Sequence, residues 1–206
     1  KADGYTYVKD QARTGTDRLS KRGFAKNYDG VDAKTTIGNV GNTQYCQTWV
    51  VQSIDNQVLF SLANTTATAV SVVAGVLTFG GSITIGSIFV DGVSKTASEA
   101  GVILNDNLPH LLYIDYTQIA TSNLVLGYDG TTYGNVDLFD FRVGDTTEVV
   151  GDVLNVVQNP AYLHSTETGI WHNDEEAGTT AFDSIGGNHG TDTGGVTHVN
   201  QDVVSF

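Results

Sequence analysis

Within this 206-residue chain, the stretch best equipped to recognise a ligand is Tyr128-Asp129-Gly130-Thr131-Thr132-Tyr133-Gly134-Asn135. Sugar recognition needs aromatic faces for stacking and planar polar groups for hydroxyls. Tyr128 and Tyr133 supply the first, Asp129 and Asn135 the second, and Trp171 is a further aromatic candidate. Tyr at a strand end also serves as packing, so a structural reading of the loop stands beside the functional one. Other chemistries find little footing. Four of the five His (His164, His172, His189, His198) follow residue 160, mixed with Asp174, Asp183 and Asp192. Their spacings of 8, 17 and 9 residues miss the short ligand pairs of zinc motifs, so they read as solvated loop residues. Cys46 is alone, which excludes an internal disulfide. In the run Tyr45–Val51 it reads as a small buried hydrophobe rather than a catalytic thiol. No Gly-x-Ser-x-Gly elbow occurs, and Gly80-Gly81-Ser82 lacks the Lys of a phosphate loop. No Asp-x-Asp-x-Asp-Gly run makes an EF-hand, and Asp129 followed by Thr131 and Tyr133 fails at the ligand positions.

The elements that must position these residues are strands. The chain is 40% hydrophobic but only 16% charged, below the roughly 25% usual for globular proteins and poorly suited to a helical bundle. From residue 24 onward it reads as short strands punctuated by turns: Phe24–Tyr28, Lys34–Ile37, Tyr45–Val51, Gln57–Ala63, Ala67–Val73, Ser82–Ile85, Ser87–Val90, His110–Thr117, Asn123–Tyr128 and Val136–Val143. Asp-Gly at 3–4, 29–30, 91–92 and 129–130 supplies hairpin chemistry, because Gly accepts positive φ freely and Asp tolerates it. The clearest hairpin is Ile88-Phe89-Val90-Asp91-Gly92-Val93. Leu112, Ile114 and Tyr116 alternate on one face, as in a sheet with one side packed, and Trp49 reads as core. Many short strands at regular turns predict an all-β fold, an antiparallel jelly-roll-like sandwich over 24–144. Asp145-Thr146-Thr147-Glu148 has the spacing of a capping box, and Val149, Val150, Val153, Leu154 and Val157 share a helical face. Asn159-Pro160 ends that pattern, which predicts one short helix closing the sandwich. The expected domains are a basic lead-in (1–23), the sandwich with its helix (24–160), and a Gly/Thr/Asp/His-rich tail or start of a further module (161–206). Without Met and beginning at Lys1, the chain is expected to be an excerpt of a longer protein. No apolar run approaches the about 18 residues of a spanning helix.

The net charge of −13 divides unevenly. Residues 1–34 carry eight of the ten Lys and Arg against five Asp, a net +3, while 35–206 keep two against eighteen acids, a net −16. So acidic a body is a poor partner for nucleic acid, whose phosphates need cations.

Taken in order, several short motifs resemble a known family. Asn27-Tyr28-Asp29-Gly30-Val31-Asp32 followed by Thr36-Ile37-Gly38 resembles the opening of concanavalin A-like lectin/glucanase domains of the laminin-G-like kind. Val90-Asp91-Gly92 is similar to their central hairpin, and Asp106–Asp115 to a later strand in which Pro109-His110 replaces the expected Trp-His. Gly134-Asn135-Val136 through Asp140-Phe141-Arg142-Val143 resembles their closing strand, two residues longer here. The run from Trp171 to Thr191 resembles one that recurs in phage tail and virion-surface proteins carrying these domains.

The resemblance implies a jelly-roll sandwich on an extracellular particle or virion surface, within a larger assembly. It implies a non-enzymatic adhesion or carbohydrate-recognition module, with a host-surface glycan or neighbouring virion proteins as partners and no membrane insertion. The alternative is an architectural subunit that decorates or cements a virion without binding sugar. The glucanase members act through a Glu-x-Asp-x-x-Glu strand, whose carboxyls stand at a fixed separation. The five Glu here (Glu99, Glu148, Glu167, Glu175, Glu176) do not form it, so no enzyme is expected. Such sandwiches often hold a structural Ca²⁺, for which the resemblance points to Asp29, Asp32 and Asp140. The simpler expectation is a turn at Asp29 and an ion pair between Asp140 and Arg142.

Overall fold

The computed structural model describes residues 5–8, 18–52, 55–146, 166–173 and 178–204. Strands β1 (Tyr5–Val8), β2 (Arg18–Asp29), β3 (Lys34–Gly38), β4 (Gly41–Val51), β5 (Gln57–Ser61), β6 (Ala69–Val73), β7 (Val76–Phe79), β8 (Ile85–Val90) and β9 (Val93–Ser94) lead into helix α1 (Ala97–Leu104). Then come β10 (His110–Thr121), β11 (Leu124–Leu126), β12 (Asn135–Gly144), β13 (Glu167–Trp171), β14 (Thr180–Ala181), β15 (Gly190–Thr193) and β16 (Thr197–Val204). They form two antiparallel sheets packed as a jelly-roll-like sandwich. The larger runs β1-β2-β12-β4-β10-β8-β9, with β13 beside β12 and β16 beside β2; the smaller runs β14-β15-β3-β11-β5-β6-β7.

The core between the sheets follows from alternation along the central strands. Leu112, Ile114 and Tyr116 on β10, Cys46 and Val50 on β4, and Val136 and Leu138 on β12 point inward and are buried. Phe60 of the smaller sheet meets Phe141 of the larger edge-on, 5.0 Å between ring centres. On β12 the inward set shifts from Val136 and Leu138 to Phe141 and Val143. A bulge makes this shift: Asp140 and Phe141 stand opposite a single residue of β4, and Asp140 has φ +52°. Without the extra residue, Asp140 and Arg142 would face the apolar core and Phe141 would face away from it.

The larger sheet is also buried on its outer face, which alternation on one face did not predict. There Trp49 stacks on Phe139 at 5.8 Å with 5° between the rings, among Ala25, Val51 and Leu111. Trp49 is therefore core, but on the side away from the smaller sheet. Cys46 is buried between the sheets, and burial pushes its thiol well above the usual range.

Of the Asp-Gly turns, Asp91-Gly92 is the expected hairpin, with φ +53° and +77° at the two positions and Val90 facing Val93 across β8 and β9. Asp29-Gly30 is a correction: it carries the chain from β2 in one sheet to β3 in the other, so it is a crossover turn and no hairpin. The only α-helix among the described residues is α1, where alternation had suggested none. Thr96 and Glu99 form a capping box, and Ala100 and Leu104 enter the core. Gly101 lets the helix rest on the backbone of Gly75 and Val76, where a Cβ would collide. The helix expected over 145–159 falls mainly on 147–165, outside the described residues.

Both ends of the described chain join the sandwich. β2 begins at Arg18, inside the stretch read as a lead-in, and β16 pairs along it from Thr197 opposite Asn27 to Val204 opposite Ser20. β15 pairs with β3, and β13 with β12. The composition of 161–206 conceals this because the alternation is there without apolar residues: on β15, Gly190 and Asp192 are buried while Thr191 and Thr193 are exposed.

A histidine fastens the Asp91 hairpin to the loop after α1. His110 Nδ1 lies 2.6 Å from Asp91 Oδ2, and Nε2 lies 3.1 Å from Asp106 Oδ1. The Asp91 hydrogen bond raises the His110 pKa above its ordinary 6.5, with Asp106 adding to it against the opposing effect of burial. Because the folded pKa is the higher one, this stabilisation is complete below the unfolded value and is lost as pH rises through the folded value. Thermal unfolding midpoints should therefore carry a falling component from just above pH 6.5, which His110→Gln abolishes. Parallel pH profiles of the two proteins would contradict this.

Candidate functional site

The loop end that carries the sequence candidates is built by carboxylates acting on backbone. Asp29 Oδ1 accepts N–H groups from Val31 at 2.9 Å and from Asp32 and Ala33 at 3.2 Å. The Val31 hydrogen bond is the largest cause of the lowered Asp29 pKa. Asp129 repeats the device: its Oδ1 accepts from Thr131 at 2.9 Å and Thr132 at 2.7 Å, and the residue is buried. The two turns lie side by side through Gly30 N–H donating to Gly134 O at 3.0 Å. Gly134 sits against the backbone of Val58, and a Cβ there would collide with its carbonyl. Asp32 Oδ1 accepts from Gly195 N at 2.9 Å, which ties the turn between β15 and β16 to the same end.

On this scaffold Tyr128 and Tyr133 pair across the turn and stack with ring centres 4.3 Å apart. Lys34 on β3 places its ammonium 4.5 Å from the Tyr128 ring centre and 5.9 Å from that of Tyr133, a cation held against electron-rich ring faces. Both rings are half-buried, while Thr131, Thr132 and Asn135 are exposed. The structure therefore brings Tyr128 and Tyr133 together, leaves Asn135 exposed at the start of β12, and turns Asp129 inward as the carboxylate that shapes the loop. Lys34 is a member that sequence reasoning missed, since only strand register brings it beneath the tyrosines.

Trp171 leaves the candidate set, because it is completely buried and has no face for a sugar. It packs near Phe141, and its indole N–H donates to Asn188 O at 2.9 Å. The tail motif explains itself from here. Asp183 Oδ1 accepts from Ile170 and Ile185, and Oδ2 accepts from Asn188, so one carboxylate folds 184–188 back over Trp171. A Cβ at Gly186 would collide with that carboxylate. The motif closes the sandwich.

The carboxylates suggested for Ca²⁺ do not fit one ion site. Asn135 stands opposite Asp29 in the β2–β12 register, which puts Asp140, five residues along β12, roughly 15 Å from that end. Asp140 instead meets Arg142, Nη2 to Oδ2 2.8 Å, and His172, Nδ1 to Oδ1 2.8 Å. Asp29 makes its turn and Asp32 holds Gly195, as just described. Among the described residues no three or more His, Cys, Asp or Glu gather to hold a metal ion. The histidines likewise disperse: His172 meets Asp140, His189 Nδ1 accepts from Asp183 N–H, and His164 lies outside the described residues.

Register also assembles a polar group that no sequence motif announces. Asn27, Asp137 and Val51 lie in one row across β2, β12 and β4. With Gln52, Asn107 and Asn135 they line a cleft of about 140 Å³. Its residues come from four separate parts of the chain, so no local spacing signals it.

The architecture defines the chain as an all-β antiparallel sandwich. No family model matches the sequence, and no curated protein matches it.

Proposed function

We propose that this protein is a non-enzymatic adhesion or carbohydrate-recognition module, acting on host-surface glycans from the surface of a virion or similar particle. The supporting observation is the stacked, half-exposed Tyr128–Tyr133 pair, with Lys34 against it and exposed Asn135 two residues along the chain. Aromatic faces and planar amides at a loop end are what sugar rings and hydroxyls require. The rigid turns beneath them, held by Asp29 and Asp129, fix those groups before any ligand arrives, which limits the ordering cost of binding.

The test is a glycan array probed with the full chain, with and without Ca²⁺, followed by titration of the best ligand. Tyr128→Ala/Tyr133→Ala should weaken that binding by about tenfold or more, the equivalent of about 1.4 kcal/mol or more, without shifting the circular dichroism spectrum. Absence of binding to every glycan under both conditions would overturn the reading in favour of an architectural subunit.

A further inference from the structure

We propose that the cleft between β2, β12, β4 and the loop after α1 is a binding site for the vicinal hydroxyls of a neutral sugar or polyol. The inference rests on the carbohydrate reading above and extends it from the tyrosine loop to a second surface. Gln52 carries the argument. It is 2% exposed, lines the cleft, and neither amide atom has a hydrogen-bond partner among the described residues. A buried amide left unpaired is costly, and a ligand offering a donor and an acceptor together removes that cost. A sugar hydroxyl offers both.

The neighbours fit the same chemistry. Asp137 and Asn27 join through Asn27 Nδ2 donating to Asp137 Oδ1 at 2.6 Å, and Thr197 Oγ1 donates to Asn27 Oδ1 at 3.3 Å. This leaves the cleft with one carboxylate held in place and amides on either side. Asn107, at φ +64°, is fixed by its N–H donating to Gln52 O at 2.8 Å, so the loop and the strand end move as one. Among the described residues no Lys, Arg or His lines the cleft, which disfavours a phosphate or carboxylate ligand. Among the described residues the cleft offers one carboxylate, already engaged by Asn27, a poor start for a divalent cation, which takes six to eight oxygens in the case of Ca²⁺. The lining is almost wholly polar, with Val51 its main apolar floor, so an apolar ligand has little to bury against. At about 140 Å³ the cleft admits one edge of a sugar ring. Asn135 lines it and lies two residues from Tyr133, so an oligosaccharide could extend from the cleft to the tyrosine pair.

The experiment uses the full chain labelled with ¹⁵N and titrated with methyl pyranosides of glucose, galactose, mannose and N-acetylglucosamine, and with inositol. The expected result is a shift of the Gln52 and Asn107 side-chain amide signals by at least one of these. Gln52→Leu and Asp137→Asn should each weaken that binding about tenfold or more, the loss of one or two hydrogen bonds to a polar group. Gln52→Leu should leave the melting midpoint unchanged or raised, because it removes an unpaired buried amide, and a clear fall would show that the amide serves the fold and overturn the proposal. If the signals of Tyr128 and Tyr133 move while those of Gln52 and Asn107 stay still, the cleft proposal fails and the tyrosine-loop reading stands. If no glycoside or inositol moves any signal, the cleft proposal fails, and the array alone decides the broader reading.

Discussion

Replacing Lys26 with Met is expected to cost about 3–5 kcal/mol of stability, because it strands a buried carboxylate. Lys26 is completely buried on β2, and its ammonium lies 2.7 Å from Asp192 Oδ2 on β15, in the opposite sheet. Thr35 donates its hydroxyl to the other oxygen of Asp192, and Tyr28 shares a hydrogen bond with Thr35 at 2.8 Å. A charge pair joined across 166 residues of sequence thus lies inside the sandwich, with the Thr35 hydroxyl bonded to its carboxylate. Domains of this size hold about 5–15 kcal/mol in total, so the loss is a large fraction of it. The double variant Lys26→Met/Asp192→Leu should recover most of the loss, since replacing both members of a buried pair by apolar groups is often neutral or better. Recovery stays incomplete because the Thr35 hydroxyl loses its acceptor. Urea unfolding of the three proteins measures this. A single variant within about 0.5 kcal/mol of the parent would show that solvent reaches Asp192 and that the pair contributes little, as exposed pairs do.

Asp192 also marks where the sequence was legible and where it was not. Strands whose inward positions are apolar announce themselves, as Leu112, Ile114 and Tyr116 do, and the β10 core was read from them. On β15 the inward positions are Gly190 and Asp192. The apolar signal is missing there because one position must be small, with Thr35, Ile37 and Ala181 crowding it, and the other holds Lys26. The tail therefore reads as irregular although it completes both sheets. The lead-in misleads because Ser20–Gly23 of β2 pair with β16, more than 170 residues further on, which no local pattern discloses. Helix α1 was signalled by Thr96-x-x-Glu99, but the alternating strands on either side drew attention from it.

The candidate site divides along the same line. The loop Tyr128–Asn135 is local, so residue types and spacing suffice to find it. Lys34 and the cleft residues depend on which strands lie side by side, and one sequence does not disclose that. Trp171 shows the opposite error, an aromatic in a polar context that looks exposed because Asp183 and Asn188, which cover it, are themselves polar. Asp140 was grouped with Asp29 and Asp32 by resemblance, and the register of β12 separates them. The ion pair weighed against that grouping is present, and it belongs to a larger cluster.

That cluster carries the second large effect, because Arg142→Met removes the guanidinium that two buried carboxylates share. Arg142 is completely buried; its Nε and Nη2 donate to Asp140 Oδ2 at 3.2 and 2.8 Å, and its Nη1 donates to Glu167 Oε1 at 3.0 Å. The Asp140 and Glu167 side chains are 0% and 2% exposed. Burial pulls the guanidinium pKa down, but the charges of Asp140 and Glu167 outweigh it and raise the value, so the cation persists. The bulge makes the arrangement possible: Asp140 at φ +52° donates its N–H to His172 O at 2.9 Å and turns its carboxylate toward the Arg142 fork. Removing the cation should cost about 3–5 kcal/mol. Arg142→Lys should fall between, since one ammonium keeps the charge but cannot reach both carboxylates with a fixed planar fork. The pH dependence separates lost charge balance from lost packing. In Arg142→Met the two carboxylates repel one another in a dry site, so their folded pKa values should rise above the unfolded ones, and protonation on acidification should relieve the strain. The stability deficit relative to the parent should therefore shrink as pH is lowered from 7 toward 5. A deficit constant across that range would mean that the lost contacts of the Arg142 stem, and not the loss of its charge beside the two carboxylates, account for the destabilisation.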